Sequence, residues 1–312
     1  MPPLFALPAD NDPRKFAAKM TSRQFAALAM RLELPGLTSA TQRLLDTREA
    51  SSSGVCNRAV VGRWLVNGWS TECLLAHNLR ALSEPEVLRH SLHWGFAQAY
   101  YSVFALTLGY FQVVGFTESK HRAVIRRFAQ EVVAGRYPPA VAFALSGKKS
   151  LVYTGLRATS LPTTLAFDPS DPDTVDGQLA QFLRATREID LANKKKDHKF
   201  TTKRGGRKKA FRESDWEEVS NKLGPTALLS LLYRKRIKAN YDDIDTFLHS
   251  EIHPHQLYGH LLAIVESMNF VHEAFILKAL GQGFIDEAVC RLPESSRLRV
   301  QARLAGLSGV PT

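Results

Sequence analysis

Cysteine is scarce in this sequence. Three occur in 312 residues, Cys56, Cys73 and Cys290, an odd number at long spacings. A disulfide framework is therefore not expected, and reduced thiols fit an intracellular setting. There is no CxxC pair. Cys73 and His77 stand four apart, with Cys56 as a conceivable third ligand. Isolated cysteines more often serve as small core hydrophobes, so neither a metal nor any other cofactor is expected. The opening residues, MPPLFALPADND, lack the basic start and sustained apolar run of a secretory leader. A cytoplasmic location is expected.

Charge is missing from the middle of the chain. From Ser91 to Thr117 there is no Asp, Glu, Lys or Arg. Within this run Leu92, Phe96, Tyr100, Val103, Phe104, Leu108 and Phe111 recur at spacings of three and four, the helical period. Just before it, Ser83-Glu84-Pro85-Glu86 offers a cap, acids for the first turn and an early proline. The pattern predicts one helix from Glu84 to Gly115, about 48 Å long. Such a run is long enough to cross a bilayer. However, His93, Gln98, Ser102, Thr107 and Gln112 are scattered around it, and dense Leu/Ile/Val content is lacking. A helix buried in protein, without membrane contact, is the expectation. It should be the central member of an all-α bundle.

Acids are nearly absent from Asn193–Arg212. This segment holds Lys194, Lys195, Lys196, Lys199, Lys203, Arg204, Arg207, Lys208, Lys209 and Arg212 against Asp197 alone, and so carries nine of the chain's eleven net positive charges. The remainder is nearly neutral. Basic density of this kind, with Gly205-Gly206 inside it, reads as a loop that contacts a phosphate backbone without reading bases. Phe200 and Phe211 add stacking surfaces for single strands.

The other segments also read as helical. Ser22–Glu33 is expected to be a helix capped by Ser22 and stopped by Pro35-Gly36, after a poorly ordered stretch at 1–21. Further helices are expected at 41–49, 57–67, 70–82, 117–134, 175–192, 216–223, 226–240 and 255–280. Two short ones, at 283–292 and 295–306, close the chain. Prolines 162, 169 and 172 exclude a long helix between 140 and 175, where 152–165 offers a short hairpin. On Thr117–Ala134, Val124, Ile125, Phe128 and Val132 form a buried face, while Lys120, Arg122, Arg126 and Arg127 form the other. Lys120, Arg122 and Arg126 are further candidates for phosphate contact.

Three pieces carry a family resemblance: Ala99-Tyr100-Tyr101-Ser102-Val103-Phe104, then Ser119-Lys120-His121 opening a helix with Val124-Ile125 and Phe128, then Arg236-Ile237-Lys238-Ala239-Asn240-Tyr241-Asp242 before a long closing helix. Their order resembles HEPN domains, above all the small stand-alone HEPN proteins. The match covers roughly 84–137 and 225–281. The resemblance implies an up-and-down helical bundle at 83–281 interrupted by an insertion at about 138–224, with a helical extension at 1–82 and short helices at 282–312. It further implies a homodimer or a subunit of a larger complex, in bacterial defence, toxin–antitoxin or RNA-processing settings. Many HEPN members are metal-independent ribonucleases that use an Arg followed by four to six residues and then His. No Arg in this chain precedes a His at that spacing, and the nearest approach is Arg89 with His93, four apart on one helix face. The expected function is therefore binding of nucleic acid, RNA first, through the basic loop. Two alternatives are a ribonuclease using Arg89 and His93, and a structural subunit whose basic loop meets an acidic protein.

Overall fold

A computed structural model describes residues 13–47, 56–148, 150–157, 167–197, 210–239 and 252–307. Over these residues the fold is all-α: eleven α-helices and three very short strands. The central helix, α4 (Pro85–Val113), follows the expected limits closely. Glu84 caps it and Pro85 occupies the first position, where a missing N–H costs nothing. Every residue from Ser102 to Phe111 is buried, so protein surrounds this stretch on all sides. The long helix α9 (Pro254–Leu280) is alike, buried continuously from Met268 to Leu277. Among the described residues only α9 is long and apolar enough to cross a membrane, and most of it is buried inside the protein.

Around this pair stand α1 (Pro13–Arg31), α2 (Leu34–Thr47) and α3 (Arg58–Ala81). Helix α3 lies along α4 at close range because Gly68 has no side chain. A Cβ there would come within 2.1 Å of Leu106 Cδ1 and 3.0 Å of the Ser102 carbonyl oxygen. Ser102 Oγ donates to the Gly68 carbonyl at 2.8 Å across the same crossing. Helices α1 and α2 pack on α9. Residues 13–81 thus share one apolar core with α4 and α9.

The remaining elements are α5 (His121–Val133), β1 (Ala144–Ser146), β2 (Val152–Thr154), α6 (Pro172–Asp197), α7 (Glu213–Leu223), β3 (Thr226–Ala227), α8 (Leu228–Ile237), α10 (Gln282–Val289) and α11 (Glu294–Leu304). The strands form one antiparallel sheet in the order β2-β1-β3. On α11, Arg303 reaches into the core and pairs with Glu72 at 2.7 Å and with Glu273. Trp69 Nε1 donates to the same Glu273 at 2.6 Å.

Several expectations need correction. Helix α1 begins at Pro13, so the stretch before Ser22 is ordered from there, and Ser22 lies mid-helix rather than at a cap. Pro35 does not stop a helix; it sits in the first turn of α2, and the break falls at Leu32–Glu33. The two helices expected at 57–67 and 70–82 are one, since Gly68 is there for close packing and not as a breaker. The hairpin is displaced: its strands are 144–146 and 152–154. Helix α5 starts four residues late, which leaves Lys120 as its cap. Tyr100 and Phe104 are buried, whereas Tyr101 is 38% exposed. The basic segment is not a loop at its ends. Lys194, Lys195 and Lys196 form the last turn of α6, where cations complement the helix dipole. Arg212 caps α7, its backbone N–H donating to the Asp215 carboxylate at 2.7 Å. Lys199, Lys203, Arg204, Arg207, Lys208, Lys209 and Tyr241 lie outside the described residues.

Candidate nucleic-acid interface

Helix α5 is amphipathic: Val124, Phe128, Ala129 and Val132 face the core. Its opposite side turns Arg122 and Arg126 toward a cleft of about 420 Å³. The C-terminal part of α6 forms a second wall with Ile189, Asp190, Asn193 and Lys194. The end of α7 and the turn into β3 contribute Lys222, Leu223, Pro225 and Thr226. Helix α8 closes the remaining side with Ser230, Tyr233, Arg234, Ile237 and Lys238. Six cationic side chains and one carboxylate, Asp190, therefore line the cleft.

Arg187 braces these walls. Its side chain is fully buried on α6. It donates from Nη1 to the Gly224 carbonyl at 2.8 Å and to Thr226 Oγ1 at 3.2 Å. Nη2 donates to Ser220 Oγ at 2.7 Å, and Nε donates to the Gly147 carbonyl. One guanidinium thus ties α6 to the end of α7, to β3 and to the hairpin turn. Burial holds its pKa down to about 10, still well above neutrality. Gly224 ends α7 at φ +79, a backbone conformation suited to glycine. The stem of Arg126 packs on it: a Cβ on Gly224 would lie 3.4 Å from Arg126 Cγ.

Asp190 is unusual in its setting. Burial pushes its carboxyl up to about 6, and the guanidiniums of Arg234, Arg187 and Arg122 only partly offset that. Near neutral pH the cleft is strongly positive, and it becomes more so as Asp190 takes up a proton.

Beside the cleft lies an aromatic cluster. Tyr100 and His121 share a hydrogen bond of 2.6 Å between the phenol oxygen and Nδ1. The His121 ring stacks on Phe104 at 4.5 Å and on Tyr233 at 5.7 Å. Burial, then the nearby Arg236 charge, lowers the His121 pKa, so the ring is neutral at physiological pH. Arg236 lies 5.1 Å over the Tyr101 ring and donates to its hydroxyl. Tyr100, Tyr101 and Phe104 of α4, His121 of α5 and Arg236 of α8, one or more from each of the three sequence pieces quoted above, therefore meet at one place. Tyr233 belongs to both the cluster and the cleft wall.

At the roots of the basic segment, Lys195 Nζ sits 4.8 Å from the Phe211 ring centre and 5.3 Å from that of Trp216. This contact draws the two ends of the segment together.

Of the residues singled out from the sequence, Arg122, Arg126 and Lys194 converge on the cleft. Lys120 caps α5, Lys195 lies on the aromatic pair, and Lys196 ends α6; none of these lines it. Arg89 and His93 lie on the first turns of α4, away from the cleft. Arg89 faces Glu86 at 3.4 Å, and the His93 ring sits 5.4 Å from that of Trp94. Burial lowers the His93 pKa. Lys222, Arg234, Lys238 and Asp190 were not singled out. Lys222 resembles an ordinary exposed lysine, and Arg234 and Lys238 fall within the cationic run Arg234-Lys235-Arg236, Lys238, whose density was the one available signal. No family model, curated protein or solved structure matches this chain, so function has to be read from the site itself.

Proposed function

We propose that this chain binds nucleic acid, RNA in preference to DNA, through the cationic cleft and the basic segment rooted beside it. The observation that carries the reading is the convergence of Arg122, Arg126, Lys194, Lys222, Arg234 and Lys238 on a single cleft. These groups come from four helices, so their meeting is a product of the fold and not of one charged stretch. Lys194 also begins the segment that holds nine of the eleven net positive charges. Guanidinium and ammonium groups at this density are suited to phosphate oxygens. The likeness of Ala99–Phe104, Ser119–His121 and Arg236–Asp242 to HEPN proteins supports RNA over DNA. It also supports a subunit role in the cytoplasm, as a homodimer or within a defence or toxin-type complex.

The test is fluorescence anisotropy on labelled RNA and DNA single strands at stepped salt, wild type beside an Arg122→Glu/Lys222→Glu double variant. Both side chains are exposed, so the fold should tolerate the change. Six phosphate contacts would give a log–log salt slope of about −4 on a single strand. The double variant should bind at least about tenfold more weakly with a shallower slope. Unchanged affinity in the variant would overturn the assignment to this cleft. Salt-insensitive capture of an acidic protein with no strand bound would overturn nucleic acid as the ligand.

A further inference from the structure

The cleft has walls on several sides. Helices α5, α6 and α8 and the α7–β3 turn bound it, and the Arg187 brace fixes the turn against α6. Its volume of about 420 Å³ lies at the lower end of the range for small-ligand pockets, enough for roughly one nucleotide unit. Six cations and one carboxylate line the cleft, and with Lys222 also paired to Glu218 the lining still carries a surplus of positive charge, whereas an internal phosphodiester brings a single negative charge. A terminal phosphate monoester carries about −1.5 to −2 near neutral pH and presents three strong acceptor oxygens. Apolar atoms of Ile125, Pro225 and Ile237 share the lining. That combination suits a sugar and base held behind a densely charged phosphate better than a bare backbone.

From this geometry we infer that the cleft receives the phosphorylated end of a strand and distinguishes it from a hydroxyl end. The inference rests on the nucleic-acid reading above and makes it specific. Arg126 on α5 and Lys222 on α7 lie side by side at the α7–β3 turn and serve as the clamps on the monoester, Lys222 exchanging its exposed ion pair with Glu218 for the phosphate. Terminal monoester chemistry could also be supplied by a free nucleotide, so the experiment must separate the two sources.

The experiment uses the full chain and three RNA single strands of one sequence, with a 5′-phosphate, a 3′-phosphate or hydroxyls at both ends. Labels are internal, the readout is anisotropy, and adenosine monophosphate is added as a competitor in a separate arm. One phosphorylated strand should bind about tenfold tighter than the hydroxyl strand. That preference should vanish in Arg126→Gln/Lys222→Gln while residual binding of the hydroxyl strand persists. Equal affinity for all three strands overturns end recognition but leaves nucleic-acid binding standing. Absence of binding to any strand overturns the broader reading instead. Monophosphate that competes at the concentration of the strand itself overturns the strand end as ligand and identifies a free nucleotide. A phosphate preference that survives the double variant shows that the end is seated elsewhere.

Discussion

Asp190→Asn isolates the electrostatics of the cleft. Asp190 is half-buried on α6, and burial raises its carboxyl to about 6 in the folded chain. In the unfolded chain the same group titrates near 3.9. The folded state therefore holds the proton over a window, from about pH 4 to 6, in which the unfolded state has released it. The stability this provides is complete below about pH 4 and lost as pH rises through 6. Above that the ionised carboxylate costs up to about 3 kcal/mol, at about 1.4 kcal/mol per pH unit. Partial solvent access at the cleft mouth brings the expectation down to about 1–2 kcal/mol. Asparagine keeps the shape and cannot ionise. The variant should thus be more stable than wild type by that amount at pH 7.5 and indistinguishable from it near pH 4. Urea denaturation at the two pH values measures both.

The same substitution should tighten strand binding. Removing one negative charge beside a bound phosphate is worth about 1 kcal/mol in a partly wet cleft, or five- to tenfold in affinity. Wild-type affinity should rise as pH falls from 7.5 to 5.5, while the variant stays level. A strand with hydroxyl ends is needed here, because a terminal phosphate itself titrates near pH 6. A variant less stable than wild type at pH 7.5 would refute the burial argument: it would mean that Arg122, Arg187 and Arg234 hold the carboxylate by more than its desolvation costs. Equal affinities at all pH values would remove Asp190 from the binding surface.

Two further predictions concern the scaffold. Arg187→Met leaves the Gly147 and Gly224 carbonyls and the Ser220 and Thr226 hydroxyls without their guanidinium donor. It should cost about 3–5 kcal/mol in urea denaturation, and a loss under about 1 kcal/mol would show that the brace is dispensable. His272 is fully buried, with Nε2 3.0 Å from the Tyr137 hydroxyl, and burial holds its pKa down to about 3. It stays neutral while the unfolded histidine protonates near 6.5, so its contribution is intact above 6.5 and declines by about 1.4 kcal/mol per pH unit below that. His272→Gln should remove that slope between pH 6 and 4, and an undiminished slope in the variant would exclude His272 as its source.

The two titrations oppose each other. Between pH 6 and 4 the Asp190 contribution grows on acidification while that of His272 shrinks, at similar rates. Asp190→Asn should therefore expose an acid sensitivity that wild type masks, and stability curves of the two proteins should diverge toward high pH rather than run parallel. Nothing in the sequence announces this pairing, and the reason separates what was legible from what was not. Helix α4 could be read directly, because an uncharged run with Pro85 and Glu86 at its head leaves few other conformations. Helix α9 was legible from Leu257, Leu261, Ile264, Met268 and Val271 in the same way. The first half of α1 escaped because Arg14, Lys15 and Lys19 interrupt its apolar positions and mimic a solvated lead-in. The cleft escaped for a stronger reason. Arg122, Arg126 and Lys194 could be singled out on their own helices, but nothing local to any of them shows that they converge with Lys222, Arg234 and Lys238. Arg187, between Thr186 and Glu188, looks like an ordinary surface charge, yet it is buried and joins three elements. Local periodicity reports how a helix divides core from solvent; it carries no information on which solvent faces will confront each other. Here the bundle brings those faces together, and the cleft exists only through that packing.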